Sequence, residues 1–180
     1  GYKHLFVVPS EGGTARQLTS GRFNFASYRG GQTVWSKDSK YIYVSTNLQD
    51  DWEATPEIEI YQINASDGSM DRLTNRLGQD GNPTPSPDGK SLAYTGYDDK
   101  KMATQISHIY VMNLKTRKIK EIKTKLDRGV SNLSWSGDSK NIIFTYATEG
   151  NTKLAKTTLK GKTNIITSSV GRGYSLAADG

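Results

Sequence analysis

Val34-Trp35-Ser36-Lys37-Asp38-Ser39-Lys40-Tyr41-Ile42-Tyr43 returns as Thr84-Pro85-Ser86-Pro87-Asp88-Gly89-Lys90-Ser91-Leu92-Ala93, and again as Ser134-Trp135-Ser136-Gly137-Asp138-Ser139-Lys140-Asn141-Ile142-Ile143. A damaged fourth copy reads Ser175-Leu176-Ala177-Ala178-Asp179-Gly180. The marker aspartates Asp38, Asp88, Asp138 and Asp179 are therefore spaced 50, 50 and 41 residues apart. A regular internal period of this length is the mark of a repeat architecture.

A second element alternates with the first. His4-Leu5-Phe6-Val7-Val8, Glu59-Ile60-Tyr61-Gln62-Ile63, His108-Ile109-Tyr110-Val111-Met112 and Lys153-Leu154-Ala155-Lys156-Thr157 occupy equivalent places. Each leads through a turn to a short segment ending Gln17-Leu18-Thr19, Arg72-Leu73-Thr74, Glu121-Ile122-Lys123 or Ile165-Ile166-Thr167. Period-two alternation, β-branched and aromatic residues, and Gly, Asp or Ser every 8–12 residues predict strands, and no segment sustains a helical period. Each unit thus holds four strands, a to d, expected in the middle unit at 82–86, 91–95, 108–113 and 118–122. In the a–b turn, Asp88 can accept a backbone N–H two residues on, Pro87 presets φ, and Gly89 can take a positive φ. Ser39 and Ser139 replace that glycine, so their turns are expected to be strained or differently shaped.

Four-stranded units at this spacing predict an all-β fold, a β-propeller of four-stranded antiparallel blades with about three and a half blades present. The units fall at about 1–30, 31–78, 79–128 and 129–170, with the start of the next at 171–180. Since a closed propeller needs four to eight blades, an incomplete one is expected, its open edges covered by further blades or a partner. Gly1-Tyr2-Lys3 runs straight into a strand-like segment without a leader pattern, as in a mature or truncated chain.

Composition narrows the chemistry. The 180 residues are 34% hydrophobic, 23% charged and 9% aromatic, a globular mixture. Apolar runs stop at four residues, as in Leu5 to Val8, far short of the ~20 a membrane span needs. No cysteine is present, which excludes disulfides, thiol nucleophiles and thiolate metal sites, and His4 and His108 are the only histidines. The net charge of +6 is uneven: residues 51–100 hold four basic against ten acidic side chains, and residues 101–150 nine against four. The densest basic stretch, Lys115 to Arg128, interleaves Ile119 and Ile122 and reads as a solvated strand face, so no nucleic-acid partner is expected.

The repeats resemble those shared by TolB-like propellers and the prolyl oligopeptidase family of serine peptidases. Three strings sharpen the likeness toward bacterial dipeptidyl-peptidase and acylaminoacyl-peptidase-like members across nearly the whole chain. They are Asn47-Leu48-Gln49-Asp50-Asp51-Trp52-Glu53, then Gly81 through Asp99, and Leu126-Asp127-Arg128-Gly129-Val130-Ser131-Asn132. The resemblance implies a propeller that gates substrate access and contributes peptide specificity, working beside its own α/β-hydrolase domain. It also implies an exported, periplasmic or secreted protein. A TolB-like propeller that binds protein partners without catalysis is the alternative.

The catalytic apparatus of such a peptidase is missing from the sequence. No Gly-x-Ser-x-Gly occurs, nor any βαβ pattern to carry it, so no catalytic residue is assigned in this chain. His4 and His108 precede strand c in equivalent places, and Trp35 and Trp135 are equivalent with Pro85 between them, so all four are read as structural. Asp38, Asp88, Asp138 and Asp179 each belong to a separate turn; no calcium-loop spacing appears, and neither metal nor cofactor is expected.

Antiparallel strands bring the b–c and d–a connections out at one end of every blade. The stretches 47–57 and 96–107 are longer than hairpins require, and long loops on a rigid scaffold are common carriers of binding residues. Asp50, Asp51, Glu53, Glu57 and Glu59 cluster there without Lys or Arg, either to hold a cationic group or as a solvated acidic loop. Dipeptidyl-peptidase-like relatives use a string resembling Asp-Trp-x-Tyr-Glu-Glu to grip a peptide amino terminus. Asp51-Trp52-Glu53 matches its start, but Ala54-Thr55-Pro56 stands where Tyr-Glu-Glu would be. Arg128 faces either a substrate or Asp127. The substrate-proximal candidates are therefore Asp51, Trp52, Glu53, Glu57 and Arg128, with a peptide as the expected ligand and a homo-oligomer as a possible assembly.

Overall fold

The computed structural model describes residues 1–25, 33–48, 57–102 and 104–167. No helix occurs among them. Fourteen strands run in sequence order: β1 (Phe6–Val7), β2 (Arg16–Gln17), β3 (Thr33–Trp35), β4 (Tyr41–Thr46), β5 (Glu59–Asn64), β6 (Met70–Arg72) and β7 (Gly78–Pro85), followed by β8 (Ser91–Asp98), β9 (His108–Asn113), β10 (Ile119–Ile122), β11 (Val130–Trp135), β12 (Asn141–Thr148), β13 (Asn151–Thr158) and β14 (Thr163–Thr167). They form a two-stranded sheet, β1-β2, and three four-stranded sheets whose spatial order follows the chain: β3 to β6, β7 to β10 and β11 to β14. The predicted four-stranded blade is thus present three times, with a sheet of strands c and d before it.

Strand b differs from its expected period-two pattern. In β4, five of six residues are buried, and in β8 a run of five, Leu92 to Gly96, is buried on both faces. A strand covered on both sides loses its alternation, which is why these segments read as near-continuous apolar runs. Strand d is the opposite: all three residues of β6 are exposed. The chain divides into two compact units, Gly1–Pro83 and Thr84–Gly180. Leu18, Phe25, Ile42, Val44 and Ile63 form a core in the first. Ile109, Val130, Leu133, Trp135, Ile142 and Phe144 anchor the core of the second.

The three a–b turns have one construction. Ser36 Oγ donates to Asp38 Oδ1 at 2.7 Å and accepts the Tyr41 amide at 3.0 Å, while the Lys40 amide donates to Asp38 Oδ1 at 3.2 Å. Ser86, Asp88, Lys90 and Ser91 repeat these bonds, as do Ser136, Asp138, Lys140 and Asn141. The serine hydroxyl first, and the lysine amide second, hold all three aspartates below their ordinary pKa. Ser39 at φ 57° and Ser139 at φ 58° adopt the positive angle that Gly89 takes at 70°. The shape is therefore conserved and the two serines carry the strain; Asp179 lies outside the described residues.

Two c–d turns press on a neighbouring strand. A Cβ on Gly68 would stand 2.5 Å from the Leu18 carbonyl oxygen, and one on Gly161 would stand 2.5 Å from that of Lys123. Arg117 occupies the place equivalent to Gly68 at φ 60°, so the close approach, beyond the backbone angle, demands glycine. The tryptophans also separate: Trp135 is 9% exposed and its indole N–H donates to the Thr84 carbonyl at 2.9 Å, whereas Trp35 is 50% exposed.

Replacing Ser39 with glycine should stabilise the fold by about 1 kcal/mol, since the left-handed region costs an L-residue roughly that much; Ser139→Gly should gain less, because it also removes the hydroxyl that accepts the Asp88 amide at 3.1 Å. A higher urea midpoint at unchanged m is the expected readout; no change in Ser39→Gly would show that turn to be unstrained. Gly68→Ala and Gly161→Ala should each cost about 2 kcal/mol or more, combining backbone strain with displacement of the neighbouring strand. Thermal unfolding with retained transitions in the single variants checks this.

Candidate functional site

The b–c connections are unequal. Residues 49–56 are not among those described, so Asp51, Trp52 and Glu53 have no assigned geometry. The second stretch is shorter than expected, because β8 continues to Asp98 and leaves 99–107 as the loop. In the last blade, Glu149 (φ 52°) and Gly150 (φ 73°) close a two-residue hairpin between β12 and β13. Both angles fit a type I′ turn, which matches strand twist.

In the first unit, Glu57 is half-buried, whereas Glu59 leaves the acidic loop altogether. As the first residue of β5 it pairs across the sheet with buried Thr46 and is 2% exposed. Arg72 Nη2 donates to Glu59 Oε1 at 2.6 Å, Thr74 Oγ1 donates to Glu59 Oε2, and the Ile60 amide donates to Thr74 Oγ1 at 2.9 Å. A carboxylate so paired is a structural anchor, not an acceptor for a ligand's charge. Close by in sequence, Arg76 donates to buried Asp80. Burial pushes the Asp80 carboxyl up to about 6, against the opposing pull of Arg76.

In the second unit, Arg128 is exposed and lies 3.4 Å from both the carbonyl and the carboxylate of Asp127, which favours the pairing alternative. The more developed feature is a cavity of about 400 Å³ at the b–c end of the β7 to β10 blade, lined in part by Tyr97, Asp98, Lys100, Met102, Ile106, His108, Tyr110 and Glu121. Register explains it. His108 pairs with Gly96 and Tyr110 with Tyr94, while Glu121 stands opposite Tyr110. His108, Tyr110 and Glu121 therefore share one face. Gly96 contributes no side chain beside them, and Lys100, Met102, Thr104, Gln105 and Ile106 of the β8–β9 connection complete the lining.

That loop is held by its own polar network. Asp99 Oδ1 accepts the Lys101 amide and Gln105 Nε2, each at 2.8 Å, and the Lys100 amide donates to Gln105 Oε1 at 2.8 Å. Bonds from Lys101 and then Gln105 hold Asp99 down at about 2. At the far end the Val130 amide donates to the Ser107 carbonyl at 3.1 Å. His4 and His108 diverge despite equivalent places: His4 lies 3.5 Å from Thr19 Oγ1 and 5.9 Å from the Phe25 ring, whereas His108 lines the cavity. Repeat equivalence did not indicate that only His108 borders a cavity; the register of Gly96 against it is the feature that distinguishes the two places. Among the described residues, no three His, Asp or Glu side chains converge on a metal position.

With the blades defined, likeness to known proteins can be placed. No protein-family model matches the sequence. Dipeptidyl-peptidase 5 of Porphyromonas gingivalis is 29% identical over 137 residues, 74% of this chain and 20% of that protein. The Tol-Pal system protein TolB of Francisella tularensis is 27% identical over 146 residues, 78% of this chain and 30% of that protein. The TolB structure from Acinetobacter baumannii superposes with a TM-score of 0.67 at 24% identity, covering 91% of this chain and 37% of that one. The chain has the fold of a TolB-type β-propeller. The β-propeller domain of the Trilobed protease from Pyrococcus furiosus shares it, with a TM-score of 0.60 at 18% identity over 93% of this chain and 48% of that one. The chain thus spans less than a third of the length of either sequence relative. No helix among the described residues is long and apolar enough to cross a membrane.

Asp80 gives a pH test of the buried polar cluster. Its carboxyl titrates near 6 folded against 3.8 ordinarily, so its stabilising contribution is complete below about 3.8 and is lost as pH rises through 6. Between pH 7.5 and 5, the wild type should gain about 1.4 kcal/mol relative to Asp80→Asn in urea unfolding, one pH unit below the folded value being worth about that much. Parallel pH profiles for the two proteins would contradict a raised Asp80.

Proposed function

We propose that this chain is the propeller portion of a serine peptidase of the prolyl oligopeptidase type, gating the approach of peptides and adding specificity from its loop-bearing end. The carrying observation is similarity to dipeptidyl-peptidase 5 over 137 residues, 74% of the chain. The cavity at the b–c end of the β7 to β10 blade supports the reading, because it lies where loops rather than tight turns leave the scaffold. In this reading the chain cleaves nothing itself. Serine attack, proton transfer by histidine and oxyanion stabilisation belong to a hydrolase domain outside residues 1–180. Asp51, Trp52, Glu53, Glu57 and Arg128 are then candidates for the peptide-facing surface.

A non-catalytic, TolB-like propeller that binds protein partners is the second reading, favoured by the match to TolB over 78% of the chain. The full-length gene product separates them. Under the peptidase reading, the reading frame encodes Gly-x-Ser-x-Gly followed by Asp and His, and a fluorophosphonate labels that serine. A folded full-length protein that lacks the motif and takes no label would overturn it.

A further inference from the structure

We propose that the cavity beside the β8–β9 loop admits one basic side chain of a peptide, its aliphatic stem against Tyr97, Met102 and Ile106 and its cationic head at Glu121. The inference rests on the peptidase reading above and names what that end of the blade selects. Size sets the first limit: about 400 Å³ lies toward the small end of the 300–1,000 Å³ typical of ligand sites, room for a residue or two. The floor is preformed. Tyr110 is 8% exposed and stacks on fully buried Tyr94 with ring centres 5.4 Å apart and planes 18° from parallel. A rigid floor removes part of the ordering cost of binding.

The walls select the chemistry. Met102 and Ile106 are 60% and 41% exposed, an apolar lip suited to a methylene chain. Glu121 Oε1 lies 3.6 Å from His108 Nδ1, beyond hydrogen-bond length, so the carboxylate keeps acceptor capacity for an incoming donor. Asp98 also lines the cavity, beside Lys100. The Tyr110 ring and the Glu121 carboxylate attract a cation and repel an anion. A purely apolar side chain would gain the lip and floor but leave Glu121 without a new partner.

The test uses the whole 180-residue chain and three blocked peptides, acetyl-Ala-X-Ala-amide with X lysine, norleucine or glutamate, titrated by two-dimensional NMR. Acetylation removes the free amino terminus as a rival cation. The lysine peptide is expected to bind about tenfold more tightly than the norleucine peptide, shifting amides of 97–110 and 119–122, with the glutamate peptide weakest. Glu121→Gln, a near-isosteric change at a partly exposed site, should bring lysine to the norleucine level without altering the thermal midpoint. Lys100→Met should tighten lysine binding. Equal binding of lysine and norleucine, no effect of Glu121→Gln, or shifts confined to other blades would each overturn the proposal. The peptidase reading fails separately: a full-length protein without a labelled serine would sink that reading while leaving lysine binding by this chain intact. Cleavage of basic peptides that ignores Glu121 would sink only the site proposed here.

Discussion

The hydroxyls of Ser36, Ser86 and Ser136 each stand between two strands, donating to an aspartate two residues on and accepting an amide five residues on. One small side chain thereby satisfies the backbone at the narrowest point of the a–b hairpin and fixes where strand b begins. Everything downstream inherits that register. The apolar run of strand b enters the core in phase, strand c pairs along it, and the b–c loop leaves from the opposite end. The aspartate is stabilised as a carboxylate by the same bonds that make the turn, so turn geometry and ionisation state reinforce each other.

Charge at the other end of the blades is handled in two ways. At the start of β5, Glu59 is withdrawn from water and saturated by Arg72 and Thr74, which makes it part of the scaffold. At the equivalent start of β9, His108 and Glu121 stay partly exposed and only loosely paired. The repeat therefore offers the same place twice, once closed by partners and once left open. A ligand site can arise in this way without disturbing the blade, because what changes is the degree of saturation rather than the strand.

Much of this architecture was readable from the chain. The Ser-x-Asp strings located the hairpins, and the equivalence of Glu59 with His108 located strand c to the residue. Burial on both faces was less legible: Ile42 to Thr46 and Leu92 to Gly96 lose alternation because both sides are covered, a property of neighbours rather than of the segment itself. Glu59 sat among Asp50, Asp51, Glu53 and Glu57 in sequence, yet its partner Arg72 is thirteen residues away across a sheet. The cavity was hidden for the same reason, since Gly96, His108, Tyr110 and Glu121 meet only through pairing register.

The joints at Gly68 and Gly161 have a wider consequence. There, main chain rests on main chain, turn against carbonyl, with no side chain between. A joint made from atoms common to every residue places almost no demand on sequence beyond a single hydrogen in place of a methyl group. Such a seam lets the surrounding residues diverge widely while the spacing between sheets holds, which is how proteins sharing only about a quarter of their residues with this chain can keep the same blades.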